Sequence, residues 1–180
     1  MRVLTFYTEG TGYEALAFGQ ELNIAEYNLN YTAVGIPDQG TWEANCAAKP
    51  FVILHQLETC TDDVFFIDVD ARFASEPTEF HDLEHSDCEF VYPTWEKTGE
   101  VLSGSIYIQN CQNSIDFMKY WCSKQTDKLW DQHVMSACLE DYTGDLHTGE
   151  LPMEYCTIFD SMPEITNPVI IHYQASRNLK

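Results

Sequence analysis

The segment from Val64 to Asp70 reads VFFIDVD and decides the architecture of the chain. Its first four residues are apolar and either β-branched or aromatic, a pattern typical of a buried strand. Residues i and i+2 of an extended segment project to the same side, so Asp68 and Asp70 converge at the carboxyl end of that strand. Open α/β sheets bind their ligands at this end. Two converging carboxylates suit Mg²⁺ or Mn²⁺, with phosphate oxygens and water completing the coordination.

Strand and helix patterns alternate in the part of the chain that precedes this segment. Strands are predicted over 2–8 and 29–34, with a helix over 13–27 between them. The helical stretch over 42–59 contains Pro50, which predicts two pieces, the second starting near the proline. This alternation predicts a parallel α/β sheet.

The second half of the chain is predicted to be more mixed. Strands are expected over 89–92 and 105–108, and a short strand over 169–171 delivers His172. Helices are expected over 113–124 and 129–140 by their periodicity. No repeat or linker interrupts the pattern, and 180 residues suit one domain.

Composition narrows the classes of function. The net charge is -20, from 9 basic and 29 acidic residues, which disfavours nucleic acid and anionic membranes as general partners. The amino terminus enters a strand pattern directly and no long apolar span follows, so a cytoplasmic protein with no membrane partner is expected. The seven cysteines are odd in number and lack C-x-x-C spacing, which predicts reduced thiols and no zinc site.

Four short groups of mainly polar residues lie along the chain in a definite order. The groups are Asp68-Val69-Asp70, Ser103-Gly104-Ser105, Trp130-Asp131-Gln132, and His172 followed by Arg177 and Lys180. In this order and at this approximate spacing, the chain resembles the GT-A glycosyltransferases, which use nucleotide-sugar donors. It is most similar to small members of the nucleotide-diphospho-sugar transferase superfamily. The resemblance covers Val3 to Lys180 and implies an α/β fold: a single GT-A-like (Rossmann-like) domain with a mixed, mainly parallel central sheet flanked by helices.

The resemblance implies a metal site at the Asp-x-Asp segment. Asp68 and Asp70 would hold a divalent cation, and His172 would add a third ligand. An imidazole ligand favours Mn²⁺ over Mg²⁺. The cation would bridge the two donor phosphates and neutralise the charge that develops on the departing nucleoside diphosphate.

The resemblance also assigns positions to donor binding. Arg177 and Lys180 would contact the same phosphates as the metal, the first as a planar fork and the second as a point charge. The remaining donor-binding candidates are Tyr7, Thr8, Tyr13, Lys49 and Asp68. Tyr7 and Thr8 would cup the base and ribose, and Tyr13 would stack on the base. For the tyrosines a place in the core is the alternative, and for Lys49 a solvated side chain.

Two further motifs are implied to face the sugar and the acceptor. Asp131 and Gln132 are the catalytic candidates: the first binds sugar hydroxyls, or acts as a base if the enzyme inverts, and the second places its carbonyl near the anomeric carbon if the enzyme retains. A helix-start role is the alternative for Asp131. The segment Ser103–Ser105 would approach the acceptor or sugar at Gly104, or form a bulge. Leu102 replaces an asparagine found in many retaining relatives.

The expected function is transfer of a sugar from a nucleotide-sugar, UDP-sugar by default, with Mn²⁺ (or Mg²⁺) as the cofactor. One domain over 1–180 is expected, with a nucleotide-binding half at 1–70 and an acceptor half with a metal- and phosphate-binding tail at 71–180. A glycan, a protein, a small molecule or a modified DNA base remains open as the acceptor, and no oligomeric state is predicted.

Three alternatives use the same residues differently. A non-catalytic nucleotide-sugar-binding module is disfavoured by the intact set of Asp68, Asp70, His172 and Lys180. A phosphatase of the haloacid dehalogenase type usually has a small or β-branched residue where this chain has Arg72. A nucleotidyltransferase needs basic residues after a glycine-rich loop, and the turn at 10–12 lacks them.

Overall fold

The fold is that of a computed structural model, which describes residues 1–179 apart from the side chain of Asn178. Lys180, predicted to bind the donor phosphates, lies outside the described residues. Within the described part of the chain, strands and helices alternate through the first half, as the sequence pattern predicts.

The strands are β1 (Arg2–Thr8), β2 (Tyr31–Ile36), β3 (Val64–Ile67), β4 (Ala71–Phe73), β5 (Phe90–Tyr92), β6 (Thr94–Trp95), β7 (Glu100–Val101), β8 (Ser105–Ile108), β9 (Thr148–Glu150), β10 (Thr157–Ile158) and β11 (Ile170–His172). The helices are α1 (Gly12–Ala25), α2 (Trp42–Cys46), α3 (Lys49–Thr59), α4 (Phe80–Glu84), α5 (Gln112–Lys124), α6 (Asp131–Asp141) and α7 (Ser176–Leu179), and a 3₁₀ turn covers Met153–Cys156. None of the helices among residues 1–179 is long and apolar enough to cross a membrane.

The central sheet has six strands in the order β2-β1-β3-β8-β5-β9. Strand β8 is antiparallel to both of its neighbours, and the other pairs are parallel. The predicted mixed, mainly parallel sheet is therefore confirmed. The reversed strand β8 lies beside β3, so the segment that precedes β8 reaches the carboxyl end of β3.

Both faces of β3 are covered, which explains its unbroken apolar sequence. Val64 and Phe66 pack in one apolar cluster with residues of α3, α5 and α6. Phe65 and Ile67 pack in a second cluster, which includes Ile24 of α1. The seven cysteines are all free thiols.

A small second sheet, with the order β10-β11-β4, brings the end of the chain to the Asp-x-Asp segment. In the antiparallel pair of β4 and β11, His172 lies opposite Ala71. Because Ala71 directly follows Asp70, this register places the imidazole beside the carboxylates. The strands of this sheet have two or three residues and gave no clear pattern in the sequence, apart from the run that precedes His172.

The predicted bounds of β1, β3 and β8 are confirmed, whereas β2 starts two residues later than predicted. Asn28 takes a positive φ of 53° after α1, and this turn delays the start of the strand. The helical stretch around Pro50 does form two pieces, and the proline occupies the first turn of α3, where its missing N–H has no cost.

Candidate active site

A cleft of about 450 Å³ opens beside the ends of β1 and β3. Among the predicted site residues, those that line it are Tyr7, Thr8, Tyr13, Lys49, Asp68, Asp70, Ser103, Asp131, Gln132 and Arg177. Gly104, Ser105 and His172 are buried and are not part of the cleft wall. The structure therefore brings residues from both halves of the chain to one cavity.

Asp68, Asp70 and His172, here called the Asp-Asp-His cluster, form a compact group. Each offers one ligand atom, and the three atoms all lie within 4.8 Å of one another. His172 Nδ1 is 4.0 Å from Asp70 Oδ1. The backbone N–H of Asp68 donates to the carbonyl of Gly104 at 2.9 Å, which fixes the turn that follows β3. Two carboxylates and one imidazole at these separations fit a divalent cation such as Mn²⁺.

Gly104 leaves the space that His172 occupies. A Cβ at this position would lie 2.8 Å from His172 Cε1 and 3.2 Å from Asp68 Oδ2. Side chains do not approach a Cβ this closely, so the imidazole and the carboxylate can be neighbours only because residue 104 is glycine. The sequence predicts that the acceptor or the sugar approaches Gly104, and in the structure the group that lies against this backbone is His172.

His172 is held in a charged environment although it is 2% exposed. Burial alone lowers the pKa of an imidazole, but the neighbouring Cys156, Asp68 and Asp70 outweigh it and raise the pKa of His172 to about 9. A metal ligand must be the neutral imidazole, so a cation bound here replaces a proton.

Lys49 connects two sides of the cleft. It lies in the first turn of α3, is 4% exposed, and its Nζ is 3.0 Å from Asp68 Oδ1 and 2.6 Å from Asp131 Oδ2. The same ammonium donates to the backbone carbonyl of Ser103 at 3.1 Å and to its hydroxyl at 3.0 Å. Burial lowers the pKa of a lysine, yet the two carboxylates hold the pKa of Lys49 above its ordinary value. Lys49 thus reaches the cleft as the partner of Asp68 and Asp131.

Asp131 and Gln132 are fixed by the segment before β8. Asp131 Oδ2 accepts a hydrogen bond from the Ser103 hydroxyl at 2.8 Å. Gln132 Oε1 accepts from the Ser103 N–H at 3.2 Å, and Gln132 Nε2 donates to Glu100 Oε1 at 2.6 Å. Asp131 also lies in the first turn of α6, where a carboxylate is favourable. The same residue therefore stands at a helix start and lines the cleft.

The tail that follows β11 contacts the Asp-Asp-His cluster directly. The backbone N–H of Ala175 donates to Asp70 Oδ2 at 2.7 Å. Arg177 lines the cleft and forms an ion pair with Asp160. Arg177 therefore lines the cleft while its guanidinium is paired with an exposed carboxylate.

Aromatic residues line the cleft near the carboxyl end of β1. Tyr7 and Thr8 end β1, and Tyr13 lies in the first turn of α1, which Thr11 caps by accepting from the N–H of Tyr13 at 3.2 Å. Burial raises the pKa of Tyr13. Further lining residues, outside the site predicted from the sequence, include Phe6, Trp42, Asn45, Cys46 and Glu100.

Two tryptophans in the second half of the chain, Trp121 and Trp130, have different surroundings. Trp121 is fully buried in the core, whereas Trp130 is 43% exposed and lines the cleft. The ring of Trp130 meets that of Trp42 edge to face, with centroids 5.3 Å apart. Trp130 therefore borders the cleft next to Asp131.

Comparison with known proteins gives one family and a set of similar folds. The family described as nucleotide-diphospho-sugar transferase matches residues 38–180. No curated protein sequence matches the chain.

Similar solved structures are glycosyltransferases. One, involved in the glycosylation of the major capsid of PBCV-1, is 14% identical with a TM-score of 0.76, over 98% of this chain and 94% of that one. GlyE of Streptococcus pneumoniae TIGR4 is 12% identical with a TM-score of 0.65, over 96% of this chain and 54% of that one. The galactosyltransferase LgtC, in complex with donor and acceptor sugar analogs, is 11% identical with a TM-score of 0.59, over 97% and 87% of the two chains. At these identities the likeness concerns the fold, and it confirms the predicted GT-A-like architecture.

Proposed function

The chain belongs to the nucleotide-diphospho-sugar transferase family, and we propose that it transfers a sugar from a UDP-sugar with the help of a divalent cation. The observation that carries the metal requirement is the Asp-Asp-His cluster beside the cleft, with its ligand atoms within 4.8 Å. Family membership confirms the predicted transferase class and removes the support for the phosphatase and nucleotidyltransferase alternatives.

Asp68, Asp70 and His172 would hold the cation, with Mn²⁺ favoured by the imidazole. When bound, the cation supplies Lewis-acid stabilisation of the diphosphate leaving group. Burial raises the pKa of Asp68. The Lys49 ammonium, 3.0 Å from Asp68 Oδ1, opposes this rise and orients the carboxylate from the other side. The other carboxylate oxygen of Asp68, Oδ2, lies on the side of His172. Both groups are next to Gly104, where an added Cβ would be 3.2 Å from Asp68 Oδ2 and 2.8 Å from His172 Cε1.

Asp131 and Gln132 are proposed to orient the transferred sugar. The Asp131 carboxylate already accepts from Lys49 and from the Ser103 hydroxyl, at 2.6 and 2.8 Å. These contacts hold the carboxylate in one orientation, which suits hydrogen bonds to sugar hydroxyls. Gln132 is bonded at both ends of its amide, which fixes the direction of its carbonyl.

The aromatic part of the cleft near β1 is proposed to receive the nucleotide base. Tyr7, Thr8 and Tyr13 line this part, and aromatic rings stack on a base with little dependence on its identity. The acceptor is proposed to bind where Trp130 borders the cleft next to Asp131. The net charge of -20 disfavours DNA there, so glycans, proteins and small molecules are the acceptors to test first.

The experiment that tests this function is a screen of nucleotide-sugars for release of the nucleoside diphosphate in the presence of Mn²⁺. We expect one donor to be hydrolysed slowly without an acceptor, and hydrolysis to stop when EDTA removes the metal. Donor binding without turnover, with every acceptor class supplied, would identify a nucleotide-sugar-binding module instead. Equal turnover with Mn²⁺ and with EDTA would contradict the metal requirement.

Arg177→Ala should weaken the binding of UDP about 10-fold, because charge-assisted hydrogen bonds to phosphate are among the stronger polar contacts. When the donor binds, Arg177 is proposed to break its ion pair with Asp160 and to contact the donor phosphates. Isothermal titration of UDP in the presence of Mn²⁺ measures the change. The matched control is Asp160→Ala, which removes the competing carboxylate and should leave the affinity equal or higher. Unchanged affinity of the Arg177 variant would assign this side chain to the surface pair alone.

A further inference from the structure

The two ring nitrogens of His172 have different neighbours. Nδ1 faces the carboxylates, 4.0 Å from Asp70 Oδ1. Nε2 lies 2.9 Å from the hydroxyl of Ser105. Ser105 is 0% exposed, so this bond forms beneath the cleft and away from solvent.

The position of Ser105 follows from the register of the central sheet. In the antiparallel pair of β3 and β8, Ser105 lies opposite Ile67, the last residue before Asp68. The rest of β8 is Ile106, Tyr107 and Ile108, all fully buried. A hydroxyl in such a strand needs a partner, since an unsatisfied buried polar group costs free energy. Among the described residues, the hydrogen bond recorded for the Ser105 side chain is the one to His172.

The direction of this hydrogen bond decides which nitrogen can bind a cation. A neutral imidazole carries one N–H and one lone pair. If Nε2–H donates to the Ser105 oxygen, the lone pair of Nδ1 points to the carboxylates. If the serine donates instead, Nδ1 carries the hydrogen and cannot bind a cation. Partners of this kind fix the tautomer and the ring orientation of histidine ligands in metalloproteins.

We propose that Ser105 is a positioning residue for the metal site, which accepts a hydrogen bond from His172 Nε2 and thereby presents Nδ1 to a divalent cation beside Asp68 and Asp70. The proposal rests on the proposed function, because it needs a cation at the Asp-Asp-His cluster. It gives Ser105 a different role from the sugar- or acceptor-side position expected from the sequence. A residue that is fully buried behind His172 acts on the cation through the imidazole.

The test measures Mn²⁺ affinity by electron paramagnetic resonance, with the metal alone and no donor. Ser105→Ala should weaken Mn²⁺ binding by about 10–100-fold, the usual effect of removing a partner that orients a ligand. Ser105→Thr keeps the hydroxyl and suits a strand, so it should stay within about threefold of the wild type. Asp70→Asn measures the Mn²⁺ that binds elsewhere on the acidic surface, and this background is subtracted.

The matched control is Ser114→Ala. Ser114 is also fully buried, and its hydroxyl donates to the carbonyl of Glu89 at 3.0 Å, in α5 and outside the cleft. This variant should bind Mn²⁺ as the wild type does. If the alanine variant at position 105 fails to fold by circular dichroism, Ser105→Cys replaces it, because a thiol has a similar size and accepts only weakly. An affinity loss of at least about fivefold is then expected.

The outcomes separate the two proposals. Equally tight Mn²⁺ binding by the wild type and by Ser105→Ala would overturn the role of Ser105 but would still support the metal site. An equal loss in the variants at positions 105 and 114 would also overturn it, because the effect would then be a general one of a lost buried hydroxyl. A wild type that binds no more Mn²⁺ than Asp70→Asn would overturn both the metal site and the role of Ser105.

Discussion

Asp70→Asn should abolish Mn²⁺-dependent donor hydrolysis and sugar transfer while the protein stays folded. The substitution removes one of two charged metal ligands, so the loss should exceed the roughly 10–100-fold that partners behind the ligands contribute. The asparagine oxygen can still accept the hydrogen bond from the N–H of Ala175, now 2.7 Å from Asp70 Oδ2. Removing one of two neighbouring negative charges also relieves repulsion when no cation is bound. Initial rates and thermal unfolding, each with and without Mn²⁺, measure both expectations.

Two comparisons make this result specific. Asp70→Ala also removes the hydrogen bond from the N–H of Ala175. A melting temperature below that of the asparagine variant would therefore measure how much this hydrogen bond contributes to stability. Asp160→Asn changes a carboxylate that pairs with Arg177 outside the Asp-Asp-His cluster and should keep Mn²⁺-dependent turnover. Full Mn²⁺-dependent turnover of Asp70→Asn would remove the metal hypothesis.

Lys49→Met should give the largest loss of stability of any single substitution in the cleft. The lysine is buried between Asp68 and Asp131, and methionine leaves these carboxylates close together with no cation between them. Removing one partner of a buried ion pair costs about 3–5 kcal/mol. Because the Asp68 side chain is 39% exposed, water compensates part of this loss, and we expect about 3 kcal/mol in the free energy of unfolding from urea denaturation.

The double variant Lys49→Met/Asp131→Asn tests the cause. It removes the buried negative charge that the lysine neutralises, so it should recover more than half of the lost stability. Lys97→Met is the matched control, because the Lys97 pair with Glu164 is exposed at 2.8 Å and such pairs contribute little. A Lys49 variant that is no less stable than the Lys97 variant would show that the buried pairs do not contribute to stability.

The sequence predicted those parts of the fold that depend on local patterns. Strand β3 is a continuous apolar run, and β1 and β8 are rich in apolar and β-branched residues. The predicted bounds of all three strands were confirmed. The convergence of Asp68 and Asp70 followed from the two-residue period of a strand. Pro50 marked the division between α2 and α3, because a proline is compatible with the first turn of a helix and not with its interior.

Local patterns did not predict what brings His172 to the carboxylates. The sequence suggested this ligand only through family resemblance. In the structure the cause is the antiparallel pairing of β4 with β11, which places His172 opposite Ala71. The run that forms β11 was predicted as a short strand, whereas β4 is too short to show a period. The pairing of these two strands joins segments far apart in the chain, so local patterns do not predict it.

The sequence did not predict that Lys49 is buried. It gave donor binding and a solvated side chain as the two alternatives for this residue. Its two carboxylate partners come from segments after β3 and at the start of α6, so only the folded chain shows them together. One signal was present. A lysine in the first turn of a helix is disfavoured by the helix dipole, and such a position indicates that acidic partners hold it there. The direct contact of Ser105 with His172 had no comparable signal.

The proposed metal site is tested most directly by an anomalous difference map from crystals grown with Mn²⁺ and UDP. We expect one strong peak about 2.0–2.4 Å from oxygens of Asp68 and Asp70 and from Nδ1 of His172, with both phosphates of UDP at the same ion. A map with no peak at the Asp-Asp-His cluster, or with the three side chains directed away from the ion and the diphosphate bound elsewhere, would contradict it.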